Sequence, residues 1–223
     1  AVVEEGNPFE VQEEIIDRAC GTSEVLLPVK YVNTEYDGVD SELIEENGTY
    51  YFTKSDPDST IGSIDITVKT VNDSNLYVYV TSPKIENINY YYEGKEDGVY
   101  QNIDYPYIMD LGKHKKGDEV KISLDCGDIE SDSSYFEIYA YNVDYDKIVA
   151  AHELLSLSEM DITSFSDTHL KGTVNAGYNG YLYTSIPYDK GWEIFIDGKK
   201  QETFDLFDCQ LACRITSGRH EVE

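Results

Sequence analysis

The residues best suited to hold a ligand lie in the stretch YLYTSIPYDKGWEIFIDGKKQ, which contains the only tryptophan of the chain. An indole stacks on the C–H face of a sugar, and Tyr188, Asp189 and Lys190, just before Trp192, offer a hydroxyl, a carboxylate and an ammonium to sugar hydroxyls. In INYYYEG, Tyr90 and Tyr92 share one face of an extended chain and Tyr91 takes the other; in LYVYV, Tyr77 and Tyr79 align in the same way. A row of solvent-facing tyrosines on a concave sheet suits an oligosaccharide. Each candidate also has a structural role to fill. WEIFI alternates, setting Trp192, Ile194 and Ile196 on one face, which favours Trp192 as a core anchor with Gly191 permitting a tight bend. Tyrosines likewise fill sandwich cores and stiffen their faces.

Other chemistry finds little support. His114, His152, His169 and His220 are scattered without metal-ligand spacing, no Ser or Cys stands in a nucleophile context, and no glycine-rich phosphate cradle is present. No catalytic residue, metal or cofactor is expected. DPDS from Asp56 and DCGDIESD from Asp125 carry oxygen donors for calcium without the spacing of an EF-hand, and read as solvated loops. KHKKGD from Lys113 is the densest basic cluster; it reads as a turn, with contact to a phosphate polymer as the competing role. Of Cys20, Cys126, Cys209 and Cys213, the last two alternate onto one strand face in FDCQLACRIT. Their Cα atoms would then stand ~13 Å apart, too far for a disulfide, and both are expected to be small buried hydrophobes.

With 44 acidic against 17 basic residues the formal charge is -27, a field that repels phosphate backbones and removes nucleic acid as a partner. It also opposes anionic polymers and lipid surfaces unless a local Lys patch or bound cations intervene. No apolar run approaches the roughly 20 residues that span a bilayer, and AVVEEGNPFE lacks the basic and apolar regions of a signal peptide.

These residues must be positioned by a mostly β chain. NPFEVQEEIIDRACG predicts one helix, with Asn7 as N-cap, Pro8 first, Glu10 in the first turn, Gly21 as the stop and an apolar stripe of Val11, Ile15 and Ala19. From about Tyr31 the period becomes two: GTYYFTK, SIDITVKT, LYVYVTS, INYYYEG, EVKISLDC and YFEIYAYN are short strands parted by turn signals, and YYYEGKEDGVYQ reads as a hairpin. DYDKIVAAHELLSLSEM is a short helical stretch that sets a junction near Ser156. HLKGTVNA, GYLYTSIP, WEIFIDG, KQETFD, CQLACRIT and RHEVE follow as strands, with Asp197-Gly198 a hairpin turn. The expected fold is all-β: two jelly-roll-like β-sandwich units with a short N-terminal helix and a short helix at the junction. The expected boundaries are 1–30 for the helical segment, 31–156 for the larger sandwich and 157–223 for the smaller.

Several of these segments, taken in order, carry a resemblance. The Gly-Thr-Val of LKGTVNA, Thr184-Ser185-Ile186-Pro187-Tyr188, Gly191-Trp192, Asp197-Gly198-Lys199 and Gly218-Arg219-His220 closely resemble the C-terminal extracellular part of the YfhO family of bacterial multi-spanning membrane proteins. NPFEVQEEIIDRACG and HELLSLSEMDITSFSDTHLKG look like the family's opening and inter-domain segments, whereas residues from Tyr31 to Tyr145 resemble it only in strand pattern. The resemblance implies a GT-C-like glycosyltransferase parent that uses a polyprenyl-phosphate sugar donor and is linked to glycosylation of lipoteichoic or related wall polymers. Its catalytic carboxylates would belong to loops between membrane helices, so this chain is expected to be catalytically silent. The partners implied are a glycopolymer or polyprenyl-linked sugar, reached through the parent, and the parent's own membrane domain. The chain is expected at the extracellular face of the cell membrane, continuing past Glu223 into a membrane helix. A structural scaffold without sugar binding, and a secreted carbohydrate-binding module, are the competing roles.

Overall fold

The computed structural model describes residues 6–40, 44–46, 49–56, 62–103, 105–126, 133–207 and 209–223. Most of the two proposed calcium loops, DPDS and DCGDIESD, lies outside the described residues. The chain divides into two compact units. One comprises Asn7–Phe9 and Glu24–Tyr145; the other comprises Ala1–Gly6, Glu10–Ser23 and Asp146–Glu223. They are called here the jelly-roll unit and the C-terminal unit.

Helix α1 (Pro8–Cys20) starts and stops where its capping residues dictate. The Asn7 side-chain oxygen accepts the Phe9 N–H at 2.9 Å, and Gly21, at φ 67°, donates its N–H to Asp17 at 2.7 Å. Phe9 is buried in the jelly-roll unit, its ring stacked on Tyr141 with centroids 4.5 Å apart. The stripe of Val11, Ile15 and Ala19 is only half-buried.

Eleven strands follow: β1 (Leu26–Pro28), β2 (Lys30–Asp37), β3 (Ile44–Glu46), β4 (Thr49–Thr53), β5 (Ser63–Lys69), β6 (Ser74–Thr81), β7 (Asn87–Tyr92), β8 (Lys95–Gln101), β9 (Met109–His114), β10 (Glu119–Asp125) and β11 (Ser133–Val143). One sheet runs β3-β4-β11-β6-β9, with β1 also on β11, and the other runs β2-β5-β10-β7-β8. Counting β4 to β11 as one to eight, the first strand lies beside the eighth and the third beside the sixth; the second lies beside the seventh and the fourth beside the fifth. This is the pairing of a jelly roll. Strict alternation selects the buried face: Ile64, Ile66 and Val68 from β5 and Val120, Ile122 and Leu124 from β10 meet Leu76, Val78 and Val80 from β6 and Phe136, Ile138 and Ala140 from β11 in one core. Turns are tied by buried or half-buried polar groups. Asn142, fully buried, accepts the Val71 N–H at 2.8 Å and donates to the Asn75 carbonyl at 3.2 Å. KHKKGD is such a turn: Asp118 accepts the Lys115 N–H at 2.9 Å and Asp73 the Lys116 N–H at 2.7 Å, while His114 is buried.

Helix α2 (Tyr145–Ser156) leads into the C-terminal unit. Its strands are β12 (Met160–Ser166), β13 (His169–Ala176), β14 (Gly180–Pro187), β15 (Phe195–Ile196), β16 (Lys199–Lys200), β17 (Thr203–Leu206), β18 (Gln210–Ile215) and β19 (Gly218–Val222). A five-stranded sheet, β12-β13-β19-β15-β16, and a three-stranded one, β14-β18-β17, enclose a small core of Val174, Ile194, Ile196, Leu211, Cys213 and Val222.

Three features of this unit differ from the sequence reading. Strand β12 has no apolar alternation to reveal it, since every residue after Met160 is exposed and it is held by its pairing with β13. WEIFI does not form one strand: only Phe195 and Ile196 pair, and Trp192 sits earlier in a turn, half-buried against the core rather than wholly inside it. Cys209 falls in the turn before β18, outside its alternation, and is exposed; Cys213 is buried, which pushes its thiol up to about 11. All four cysteines are free.

Two of the quoted motifs now have physical reasons. Strand β12 crosses Gly172 so closely that a Cβ there would run into the Asp161 carbonyl, beside the register shift between Ile162 and Ser164. Gly172→Ala is therefore expected to destabilise the C-terminal unit by about 1–3 kcal/mol; a urea midpoint equal to wild type would show that β12 yields freely. Asp197-Gly198 turns the β15–β16 hairpin with φ of 50° and 73°, and its carboxylate holds the last strand. His220 Nδ1 lies 2.8 Å from Asp197 Oδ2 and Nε2 lies 3.0 Å from the Thr216 carbonyl. Neither acceptor carries a proton, so the doubly protonated ring satisfies both. The Asp197 carboxylate holds His220 above the ordinary histidine value, and His220 in turn holds Asp197 below the ordinary carboxylate range. The histidine's contribution is complete below the unfolded value of ~6.5 and fades as pH rises through its raised folded value. The aspartate's is complete above ~3.9 and fades as pH falls. Thermal melts from pH 5 to pH 9 should show a decline in wild type that His220→Gln abolishes; parallel curves would remove the pair from the account.

Candidate functional site

Tyr188, Asp189, Lys190 and Trp192 are brought together in one turn of the C-terminal unit. The Asp189 carboxylate accepts the Gly191 N–H at 2.7 Å and its carbonyl accepts the Trp192 N–H at 3.1 Å, so Asp189 folds the turn. Tyr188 donates its N–H to the Cys209 carbonyl at 2.8 Å and packs against the small core beside Trp192. Lys190 is exposed.

Tyr90 and Tyr92 belong to the jelly-roll unit and are occupied there. The Tyr90 ring lies over Gly98 and stacks on Tyr100 with centroids 6.0 Å apart; the Tyr100 hydroxyl donates to the Asp110 carbonyl at 2.5 Å, joining edge strands β8 and β9. The Tyr92 hydroxyl donates to Asp118 at 2.8 Å, and its ring meets His114 edge-on at 4.9 Å. On the outer face of the same unit, Tyr79 pairs with Tyr139 and Tyr51 with Tyr135 across strands, at 6.5 and 5.8 Å. Hydrogen bonding to Tyr145, burial and nearby Asp110 push the Tyr77 hydroxyl up to about 12, so it stays neutral at neutral pH. These rings bind one another and the backbone.

In the C-terminal unit several aromatic residues line clefts. Trp192 lines a cleft of about 550 Å³ with Met160, Leu170, Tyr183, Ser185 and Ile186, rimmed by Glu159, Glu193 and Glu223. A second cleft of about 340 Å³ lies between α2 and β14, walled by Leu154, Leu155, Tyr178 and Tyr181. A third, of about 570 Å³, holds Tyr181, Arg214, Lys199 and His220. Gly180, Tyr181 and Ile215 line both the third and the second; Leu182 and Tyr183 line both the second and the first. The three clefts therefore adjoin in succession along β14, an edge strand of its sheet, and are called here its groove. Alternation turns Tyr181 and Tyr183 outward, leaving them 54% and 42% exposed. Beyond Tyr183 the pairing with β18 shifts register, and the Thr184 hydroxyl fills the gap by donating to the Leu211 carbonyl at 3.1 Å. Arg214, opposite Tyr181 on β18, holds its guanidinium 5.7 Å from the centre of that ring.

The sequence reading singled out Trp192 but passed over Tyr181, Tyr183 and Arg214. The alternation of GYLYTSIP was the signal for the two tyrosines; Arg214 had none, because its place opposite Tyr181 is a matter of strand pairing. Such a groove offers stacking surfaces, hydroxyls and charged rims. Among the described residues no three His, Cys, Asp or Glu side chains are arranged to hold a metal ion, and no helix is long and apolar enough to cross a membrane.

No curated protein sequence matches the chain. Among solved structures, a family 29 carbohydrate binding module is similar at 11% identity and a TM-score of 0.33, covering 52% of this chain and 84% of that one. A GH2 beta-galacturonidase from Eisenbergiella tayi, bound to glycerol, is similar at 11% identity and a TM-score of 0.28, covering 88% of this chain and 36% of that one. The sequence profile of the family described as bacterial membrane protein YfhO matches residues 2–223, and the chain belongs to that family.

Proposed function

We propose that this chain is a non-catalytic, extracytoplasmic region of a YfhO membrane glycosyltransferase, and that its C-terminal unit holds an extended glycopolymer, of the teichoic-acid type, as acceptor. The observation that carries the reading is the groove along β14, where Tyr181 is a wall of the third and second of three adjoining clefts, Tyr183 of the second and first, and the first holds Trp192. Repeated aromatic faces along one edge strand match a repeating ligand better than a compact one, since each ring gives one sugar face a stacking partner. The glutamates at the Trp192 rim and the exposed Ser185 supply acceptors and a hydroxyl for the sugar's own hydroxyls. Trp192 packs against the core and lines the cleft at once, so its two sequence-derived roles are compatible.

Titration of the 223-residue chain with wall glycopolymer and with neutral gluco-oligosaccharides tests this. Tyr183→Ala and Trp192→Ala should each weaken binding roughly tenfold, Trp192→Phe should restore part of it, and Tyr105→Ala, an exposed tyrosine of the jelly-roll unit, should leave it unchanged. Absence of binding to any glycan, with folding intact, defeats the reading.

A scaffold role is favoured by a separate observation: Leu157, Ile162 and Phe165 of the C-terminal unit are 75%, 57% and 73% exposed, large apolar side chains that a protein neighbour could cover. On that reading, charged substitutions at Ile162 and Phe165 impair the parent's glycosyl transfer while the groove variants do not.

A further inference from the structure

We infer that the end of the groove beside Tyr181 is a subsite for a phosphate ester, held by Arg214 and Lys199. This rests on the glycopolymer reading above and names the chemistry of one part of its ligand.

The argument starts from charge. In a chain with 44 acidic and 17 basic residues, a cleft drawn at random should hold more carboxylates than cations. The 570 Å³ cleft reverses this: Lys199, Arg214 and His220 line it with Asp197 as the one carboxylate. Asp197 is already committed, with one oxygen on His220 at 2.8 Å and the other accepting the Glu221 N–H at 3.0 Å. His220 likewise spends both ring nitrogens inside the unit, on Asp197 and on the Thr216 carbonyl. That pair is closed, and the charge left facing the cleft is that of Lys199 and Arg214.

Neither cation has an ion-pair partner among the described residues, unlike Lys200 and Lys171. Lys200 meets Glu193 at 2.5 Å and Lys171 pairs with Glu221. Arg214 instead lies over the Tyr181 ring, its guanidinium carbon 5.7 Å from the ring centre, a contact that does not use its hydrogen-bond donors. Asn179 uses its side-chain oxygen to accept the Ser217 N–H at 2.8 Å, so its amide donors are left for the cleft. The result is a fork of Arg donors, a Lys ammonium and an amide around one open volume. A phosphate ester presents oxygens in several directions and can meet cations arriving from different strands; a carboxylate presents two coplanar oxygens and needs only the Arg fork. Because Tyr181 is a wall of both this cleft and the next, a bound phosphate would sit in line with sugars lying along β14.

The test uses the 223-residue chain, with amide chemical shifts and calorimetry as readouts. The probes are inorganic phosphate, poly(glycerol phosphate), a neutral gluco-oligosaccharide and phosphatidylglycerol vesicles. Inorganic phosphate is expected to shift Arg214, Thr216 and Asn179 amides. Arg214→Gln with Lys199→Gln should weaken poly(glycerol phosphate) binding roughly tenfold or more and neutral oligosaccharide binding far less, by no more than Tyr181→Ala does; Arg214→Lys should retain part of the affinity. Thermal melts of the variants separate loss of the site from loss of fold. If neutral glycan binds through Trp192 and Tyr183 but the double variant binds poly(glycerol phosphate) as well as wild type, the phosphate subsite is wrong and the groove reading stands. Phosphate shifts at the subsite, lost in the double variant, with no glycan bound anywhere, leave the subsite and defeat the glycopolymer. Binding to the vesicles alone, or of no probe at all, overturns the inference.

Discussion

The C-terminal unit depends on one insertion. Its last strand, β19, lies between β13 and β15, pairing five residues with the first and Ile196 with the second, and the Phe195 and Glu223 backbones exchange hydrogen bonds of 2.7 and 3.0 Å. The β15–β16 hairpin has only two paired residues per strand, far below what stands alone in water. It persists because β19 gives it a sheet to join, and because Val222 buries its side chain beside Ile194 and Ile196, a gain of roughly 1.5–3 kcal/mol for a residue of that size. The turn carrying Trp192 leads directly into β15, so the position of the indole is inherited from residues near Glu223.

The two units use tyrosine in opposite ways. In the jelly-roll unit the rings face one another across strands and their hydroxyls reach backbone carbonyls, as Tyr31 does with Ile138 at 3.0 Å and Tyr107 with Gln101 at 3.0 Å. On β14, the edge of its three-stranded sheet, Tyr181 meets Phe204 edge-on at 5.6 Å and the Arg214 guanidinium, while Tyr183 is exposed. Neighbours rather than identity separate the two uses: Tyr79 and Tyr139 stand opposite one another on adjoining strands, whereas Tyr183 stands opposite Ala212.

That distinction also marks what could be read from the sequence. Strands such as SIDITVK and LYVYV were legible because alternation against a buried sheet writes a period of two, and the capped ends of α1 because Asn7, Pro8 and Gly21 act locally. The Asp197-Gly198 turn was legible for the same reason. Strand β12 was not, because an exposed edge strand held by backbone pairing, with a register shift between Ile162 and Ser164, keeps no strict apolar alternation. Trp192 was found but set in a strand, since the Asx turn at Asp189 interrupts an alternation that letters alone carry straight through. Tyr90 and Tyr92 were grouped with Trp192 by residue type; they fold into the other unit, where their contacts are with Gly98, Tyr100, His114 and Asp118. Arg214 reached the groove through the β14–β18 register, which no local signal encodes.

The solitary indole has an optical consequence. Excited at the red edge of indole absorption, where phenols do not absorb, the protein emits from its one tryptophan, half-buried in the C-terminal unit, and the jelly-roll unit is spectrally dark despite its many phenol rings. A shift in emission maximum during denaturation thus times the opening of one unit alone, and the interval between that shift and the loss of the overall β signal measures how far the two halves unfold as one.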